Sequence, residues 1–254
     1  MSENMRVSEK AYIGKNTIIK EGVIIEENAM IGSNCYIDYG AIIKENVTIG
    51  DNCFVGSNCV LGEYLSDFFE KFINNKHELY IGDNAKIRSG TIIYGETSIG
   101  INFQTGHNAT IRENTQIGDN VSIGTLSDIQ GFSEIGNFVR VHSNVHICQF
   151  SKIKDYVWIF PYTVFTNDKL PPSDNLKGVT VEEGAVICTK SIILPDILIG
   201  KEAFIGAGTL VTKDVPDDCI YLGYPGKIKG KTSEIQDKET GQILYPWRNR
   251  YKRL

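Results

Sequence analysis

The apolar positions of this chain follow neither a helical nor a simple strand period. From Ile13, a β-branched or aliphatic residue returns at every sixth position through Ile19, Ile25, Ile31, Ile37, Ile43, Ile49, Val55 and Leu61. The phase breaks, resumes at Ile81 and runs to Phe165; after a second break it returns at Val181, Ile187, Ile193, Ile199, Ile205 and Val211. Thirty positions stand in phase, with Thr105 the single polar one. A small or β-branched residue commonly stands two places earlier (Ala11, Thr17, Val23, Ala29, Cys35, Ala41), and glycine often follows, as at Gly14, Gly32, Gly100 and Gly206. A six-residue period is too long for one helical turn and breaks strand alternation. It fits a short strand and a tight bend, with the large aliphatic pointing inward and the small residue filling the corner.

Repetition on this scale predicts an all-β solenoid, a parallel β-helix whose coils each need a neighbour to bury their apolar interior. The pattern resembles the left-handed parallel β-helix family, in which three hexapeptides close one triangular coil. That handedness follows from the resemblance, because crossover connections are otherwise right-handed. About ten coils at a strand spacing of about 4.8 Å give a prism roughly 48 Å tall. Each uninterrupted run holds a multiple of three hexapeptides, so the two interruptions, loops near 62–80 and 168–178, leave from one corner, five coils apart. They read as two arms over a shared groove. The β-helix is expected over 1–215 and a short C-terminal extension over 216–254.

Composition narrows the class. The chain has 254 residues, 41% hydrophobic and 22% charged, enough for a substantial core. A net charge of −5 and a pI near 5.5 argue against general nucleic-acid binding. No apolar run approaches the roughly 18 residues of a membrane span, and MSENMRVSEK carries charge where a secretory leader has its apolar core. A cytoplasmic protein with neither nucleic-acid nor membrane partners is expected. Six scattered cysteines make no disulfide framework. Cys35, Cys53 and Cys59 occupy the small corner position and read as core filling.

A filled prism leaves only its outer edges, its loops or the seams between subunits for chemistry. The run IGAGTLVTKDVP followed by Gly223-Tyr224-Pro225-Gly226-Lys227 resembles the closing segment of hexapeptide acyltransferases, with Gly226 where alanine is usual. The stretch VWIFPYTVFTND, followed by PPS, resembles nucleotide-sugar N-acyltransferases of this fold. In that family the asparagine of Phe-Thr-Asn lies at the acyl-transfer site, with a polar or acidic residue one coil away. The resemblance assigns this place to Asn167. Gln149, eighteen residues earlier, lies beneath it and carries an amide where relatives carry a carboxylate. His146, three residues before Gln149, is the candidate proton acceptor. Asp168, Tyr162 and His107 are candidates to bind the substrate.

The resemblance implies an acyltransferase that moves an acetyl or other small acyl group from acyl-CoA to the amino group of a nucleotide-linked (dTDP or UDP) amino-deoxy-sugar. It further implies a homotrimer with acetyl-CoA as cosubstrate along the prism edge and no metal. Thr189 and Ala207 form a small-residue column for the pantetheine, with Gly206 beside it, and Lys213 and Lys227 face the coenzyme phosphates. The basic end, from Arg248 through Arg250, Lys252 and Arg253, is a second place for phosphate. Three readings compete: O-acetylation of a sugar hydroxyl, a solenoid that only presents its edges to a protein, and a zinc enzyme. The last rests on His107, His142 and His146, whose spacing resembles the γ-class carbonic anhydrases, and three imidazoles with an open water position suit catalytic zinc.

Overall fold

The computed structural model describes residues 6–65 and 77–249. The repeat folds as expected, into three parallel sheets of 11, 10 and 12 strands that form the faces of a triangular prism. Successive strands pass to successive faces, so each strand pairs with the one eighteen residues on, as Asp128 does with His146. The winding starts one face earlier than the pattern indicated: Arg6–Val7 already pairs with Ile24–Ile25. Val7 is in phase with Ile13 but, as the terminal rung, is only half-buried.

The in-phase aliphatics are the core. Ile31, Ile37, Ile43, Ile81, Ile87, Ile129 and Ile159 are fully buried, and Cys35, Cys53 and Cys59 fill corners among them. Cys53 donates its amide to Cys35 Sγ at 3.4 Å, so these thiols are part of the packing. Thr105 is tolerated inside because its hydroxyl accepts the Arg88 amide at 2.8 Å and meets the Thr91 hydroxyl at 3.1 Å.

The corners close on residues in the left-handed region, where asparagine and glycine are least strained. Between the second and third faces, Asn16, Asn34, Asn52, Asn84, Asn102 and Asn120 all take positive φ. Their amides form a ladder, with Asn102 Nδ2 donating to Asn120 Oδ1 at 2.9 Å. We call this the asparagine edge. Higher up, aromatic residues adopt the same conformation and stack: Phe138 on Tyr156 at 4.9 Å here, and Phe132 beside Phe150 at 5.4 Å on the corner between the first and second faces.

Both excursions leave where the first face passes to the second, after Val60–Glu63 and after Val164–Phe165. We call this corner the loop edge. The tip of the first arm, 66–76, and with it that side of the expected groove, lies outside the described residues. The second arm is closed at its neck by the Lys177 amide on the Asn167 carbonyl at 2.8 Å. It is tied to the coil above by Lys169 and Lys177, both on Asp196. The remaining corner, from third face to first, is the glycine edge: Gly22, Gly40, Gly90 and Gly208 turn it with positive φ.

Beyond Leu210–Val211 the chain adds Cys219–Gly223 to the third face and folds back as the antiparallel strand Gly226–Lys231. The tail then descends the third face. Tyr245 meets Phe204 edge-on at 5.6 Å, and the buried Trp247 meets Trp158 at 5.1 Å. Arg248 does not wait for phosphate: it pairs with Glu202 and Glu183 and covers the Tyr156 ring. It occupies the slot left open by Gly184, whose φ is +74° and whose missing Cβ would strike Arg248 and Glu202. Arg250, Lys252 and Arg253 lie outside the described residues. Among the described residues no helix is long and apolar enough to cross a membrane.

Candidate functional site

The sequence-derived site residues divide between the two edges that flank the first face. Gln149 and Asn167 are on the loop edge. Each stands two residues beyond an inward side chain, Ile147 or Phe165, on adjacent coils. Both are half-buried, and neither side-chain amide hydrogen-bonds another described residue. Thr166 and Asp168, the chain neighbours of Asn167, line a cavity of about 820 Å³ together with Leu194, Pro195 and Lys213.

Asp168 also uses its carboxylate within the second arm. Its oxygens accept the Leu170 amide, the Ser173 amide and the Ser173 hydroxyl at 2.8–3.0 Å, an arrangement that shapes the second arm. These bonds hold its pKa below the ordinary carboxylate value against the opposing effect of desolvation. Asp168 thus shapes the second arm while it also lines the cavity, and its expected substrate-binding role stands as a proposal.

His146 points out from the middle of the first face, and its Nδ1 lies 3.1 Å from Oδ2 of Asp128, directly below in the ladder. Gln130 donates to the same oxygen at 2.7 Å. Desolvation raises the Asp128 pKa, but the bonds from His146 and Gln130 outweigh it and hold the carboxyl low. A carboxylate that fixes the imidazole tautomer and ring angle is what an oriented proton acceptor requires. Asp128 was missed in the sequence, although its distance of eighteen residues from His146 is a column signal.

The other residues are on the glycine edge or above it. His107 is exposed there, its amide on Thr125 Oγ1 at 3.2 Å, and Tyr162 is an exposed left-handed corner residue. Both stand across the first face from Asn167, so one chain does not bring them together. Thr189 and Ala207 do form a column on the glycine edge, joined by the Gly208 amide on the Thr189 carbonyl at 2.9 Å. Gly206 is not open to a ligand: Leu222 of the terminal hairpin covers it so closely that a Cβ would collide. Lys213 belongs to the loop-edge cavity rather than to the Thr189 column, and Lys227 is exposed on the hairpin, opposite Leu222.

The three histidines of the zinc reading do not converge. His142 stacks on Phe160 at 5.2 Å on the glycine edge, while His146 is engaged with Asp128 on the face. Among the described residues no three His, Cys, Asp or Glu side chains are grouped to hold a metal ion. His77, just past the first arm, is buried and meets Tyr64 edge-on at 6.2 Å.

By repeat and by fold the chain is a parallel β-helix of three sheets, and its first coils match a hexapeptide-repeat family. Residues 4–39 and 28–63 match the family described as bacterial transferase hexapeptide (six repeats). Galactoside O-acetyltransferase of Lactococcus lactis subsp. lactis (strain IL1403) is 43% identical over 62 residues, 24% of this chain and 30% of the relative. A 2,3,4,5-tetrahydropyridine-2,6-dicarboxylate N-acetyltransferase of Staphylococcus aureus (strain JH9) is 37% identical over 67 residues, 26% of this chain and 27% of the relative. The match thus spans less than a third of the length of either curated relative. Among solved structures, UDP-N-acetylglucosamine O-acyltransferase from Moraxella catarrhalis RH4 superposes with a TM-score of 0.60 at 22% identity, covering 91% of this chain and 74% of that one. The Arabidopsis UDP-N-acetylglucosamine acyltransferase gives 0.50 at 21% identity over the same shares, and both similarities establish the fold.

Proposed function

We propose that this protein is an acyltransferase that moves an acetyl or other small acyl group from acyl-CoA to the amino group of a nucleotide-linked (dTDP or UDP) amino-deoxy-sugar, in the cytoplasm. The observation that carries the reading is the pair of unengaged carboxamides, Gln149 and Asn167, stacked at the loop edge beside the 820 Å³ cavity. Both curated relatives are named as acetyltransferases, which supports the reaction class.

In this mechanism the neutral amine attacks the thioester carbonyl. The new C–N bond forms, the carbonyl electrons move onto oxygen, and the Asn167 amide donates to that oxyanion. Collapse breaks the C–S bond. The leaving thiolate, whose thiol has a pKa near 8.5, takes the ammonium proton, so that free CoA and the amide are the products. Gln149 holds the amine by accepting from it.

The division of site residues between two edges is explained by a homotrimer. Above Arg6, the outward side chains of the first face are Ile24, Ile42, Val60, Ile92, Val164, Ile192 and Leu210, interrupted by Thr110, Asp128 and His146 between Ile92 and Val164. The second face presents Ser98, Gln116, Glu134 and Lys152 in its middle, with Tyr12, Met30 and Tyr80 below and Leu198 above. In a cyclic trimer the contact is heterologous, so the loop edge of one copy meets a different edge of the next. Packing across the first face puts Asn167 and Lys213 of one copy near Thr189, Ala207 and Lys227 of another, with acyl-CoA between them.

The oriented His146–Asp128 pair favours a second reading, O-acylation, because a hydroxyl is a poorer nucleophile and needs a base. Mass spectrometry after incubation with acetyl-CoA and a panel of nucleotide-linked amino-sugars tests the first. A product heavier by one acetyl group on nitrogen supports it; the absence of acyl product from every amine, or wild-type turnover by Asn167→Ala, overturns it.

A further inference from the structure

A second cavity lies at the top of the asparagine edge, the corner opposite the first face. Its inner wall is the last two turns of that edge, Lys201 and Glu202 below and Asp217 and Asp218 above. The turn Thr232–Glu234, which follows the strand Gly226–Lys231, brings Thr232 and Ser233 to it from the terminal hairpin. The tail closes the remaining side with Tyr245 and Pro246, and the volume enclosed is about 260 Å³. Tyr245 against Phe204 and Arg248 on Glu202 hold the tail across the corner.

The polar groups of this wall are unequally engaged. Asp217 Oδ1 accepts the Lys201 amide at 2.7 Å. The two Asp218 oxygens accept the Ser233 amide and the Ser233 hydroxyl, each at 2.7 Å. Glu202 Oε1 takes Arg248, but Glu202 Oε2 is buried without a hydrogen-bond partner among the described residues. Thr232 is 1% exposed, and its hydroxyl is likewise unpartnered. Buried polar atoms nearly always find partners, so two such atoms from the walls of one cavity point to a ligand that bonds both.

The walls define its chemistry. A carboxylate oxygen only accepts, so the ligand donates to Glu202; the Thr232 hydroxyl can accept a second bond from the same group. Three carboxylates line the cavity against one ammonium, that of Lys201, and the nearby Arg248 is already shared between Glu202 and Glu183. The surroundings therefore favour a positive charge. Among the described residues no three His, Cys, Asp or Glu side chains are grouped as metal ligands. Pro246 and the methylene stem of Lys201 add apolar surface. A volume just below the usual range of small-molecule sites asks for a compact ligand.

We propose that this cavity binds a small organic ammonium ion, its nitrogen donating to Glu202 Oε2 and Thr232 Oγ1 and its apolar body lying against Pro246 and Lys201. The ligand ties the coil to the hairpin and the tail, three segments that meet only here. The inference stands on the cavity and does not depend on the acyl-transfer reading.

Benzylamine, charged near neutral pH, is the probe; benzyl alcohol and benzoate are neutral and anionic controls of similar size. Each is titrated into the full-length protein at constant ionic strength. Trp247, the residue after Pro246, reports through intrinsic fluorescence. Benzylamine should give a saturable change, benzyl alcohol should bind about tenfold more weakly or worse, and benzoate should not bind. Thr232→Val keeps the shape and removes only the hydroxyl. It should weaken benzylamine binding by about tenfold yet leave the unliganded protein as stable as before, because no bond is lost. Glu202→Gln keeps an oxygen for Arg248 and turns an NH₂ donor toward the ammonium, and it should weaken binding by about tenfold or more. Asn167→Ala should leave binding unchanged. Circular dichroism confirms that each variant is folded. Absence of a saturable change with benzylamine into the millimolar range, equal binding of benzyl alcohol or benzoate, or unchanged binding by folded Thr232→Val overturns the proposal. Acyl transfer without ammonium binding removes only this inference, and ammonium binding without acyl transfer removes only the proposed function.

Discussion

The loop edge and the glycine edge are built from the same coil, turn after turn, yet they have opposite characters. On the loop edge the positions after the inward side chain keep polar side chains at Gln149 and Asn167, and the chain departs there twice. On the glycine edge Gly106, Gly124 and Gly206 stand at the first position after it, in places where a Cβ would strike a neighbouring coil or the terminal hairpin. The comparison teaches that in a solenoid the backbone does not select the chemistry. An arm can leave only at a corner, because leaving mid-strand would orphan ladder hydrogen bonds. Once it leaves, it shelters the corner residues next to it and makes them useful.

The sharpest way to break this contrast is Asn167→Ala, which should lower kcat by about 10²–10³, the usual cost of one oxyanion donor. The parallel change His107→Ala, on the glycine edge, should leave kcat within about threefold; a comparable loss from both would erase the distinction. Next comes His146→Ala, between the edges. With a hydroxyl acceptor it should cost on the order of 10² or more, and with an amine acceptor far less, since the departing sulfur takes the proton. Competing acceptors in one assay, with products separated by mass, would read this directly.

A third pair asks whether both edges serve one cosubstrate. Ala207→Trp should raise KM for acyl-CoA about tenfold or more by blocking the column it shares with Thr189. Lys213→Ala should raise it only about two- to fivefold, because an exposed charge contributes little. A change confined to one variant would mean that acyl-CoA uses one edge alone. Gly206→Ala tests the closed part of the glycine edge: displacing Leu222 should cost about 1–3 kcal/mol, seen in denaturant unfolding.

The smallest effect is electrostatic. The Asp128 pKa is depressed in the folded protein, so its contribution to stability is present above the unfolded value of about 3.9 and is lost as pH falls through the lower folded value. Asp128→Asn should therefore be less stable than the wild type near neutral pH, and the gap should close in strong acid. A gap that widens on acidification would contradict the bonded carboxylate described for the first face.

Most of the prism was readable from the chain alone, and the reason is local. A large aliphatic every six residues with a small one two places before sets one face. Runs in multiples of three place both interruptions on a single corner. Asn167 over Gln149 follows from the same arithmetic. Other contacts were not legible because the coil was not the deciding structure. Asp168 lines the cavity but also accepts three bonds from its own arm. Gly206 was expected to admit pantetheine but lies under Leu222, and Lys213 is on the other edge from the column it was grouped with.

The periodic interior, its number of coils and the corner of each departure were thus determined by the amino-acid order, because every rung repeats the same short-range steric choice. Which polar groups meet was decided only in three dimensions. Stacking in a column says that Asp128 lies under His146 but not that their side chains turn toward each other. The tail has no period at all, so the landing of Arg248 in the space left by Gly184, and of Trp247 against Trp158, depends on the finished surface of the third face.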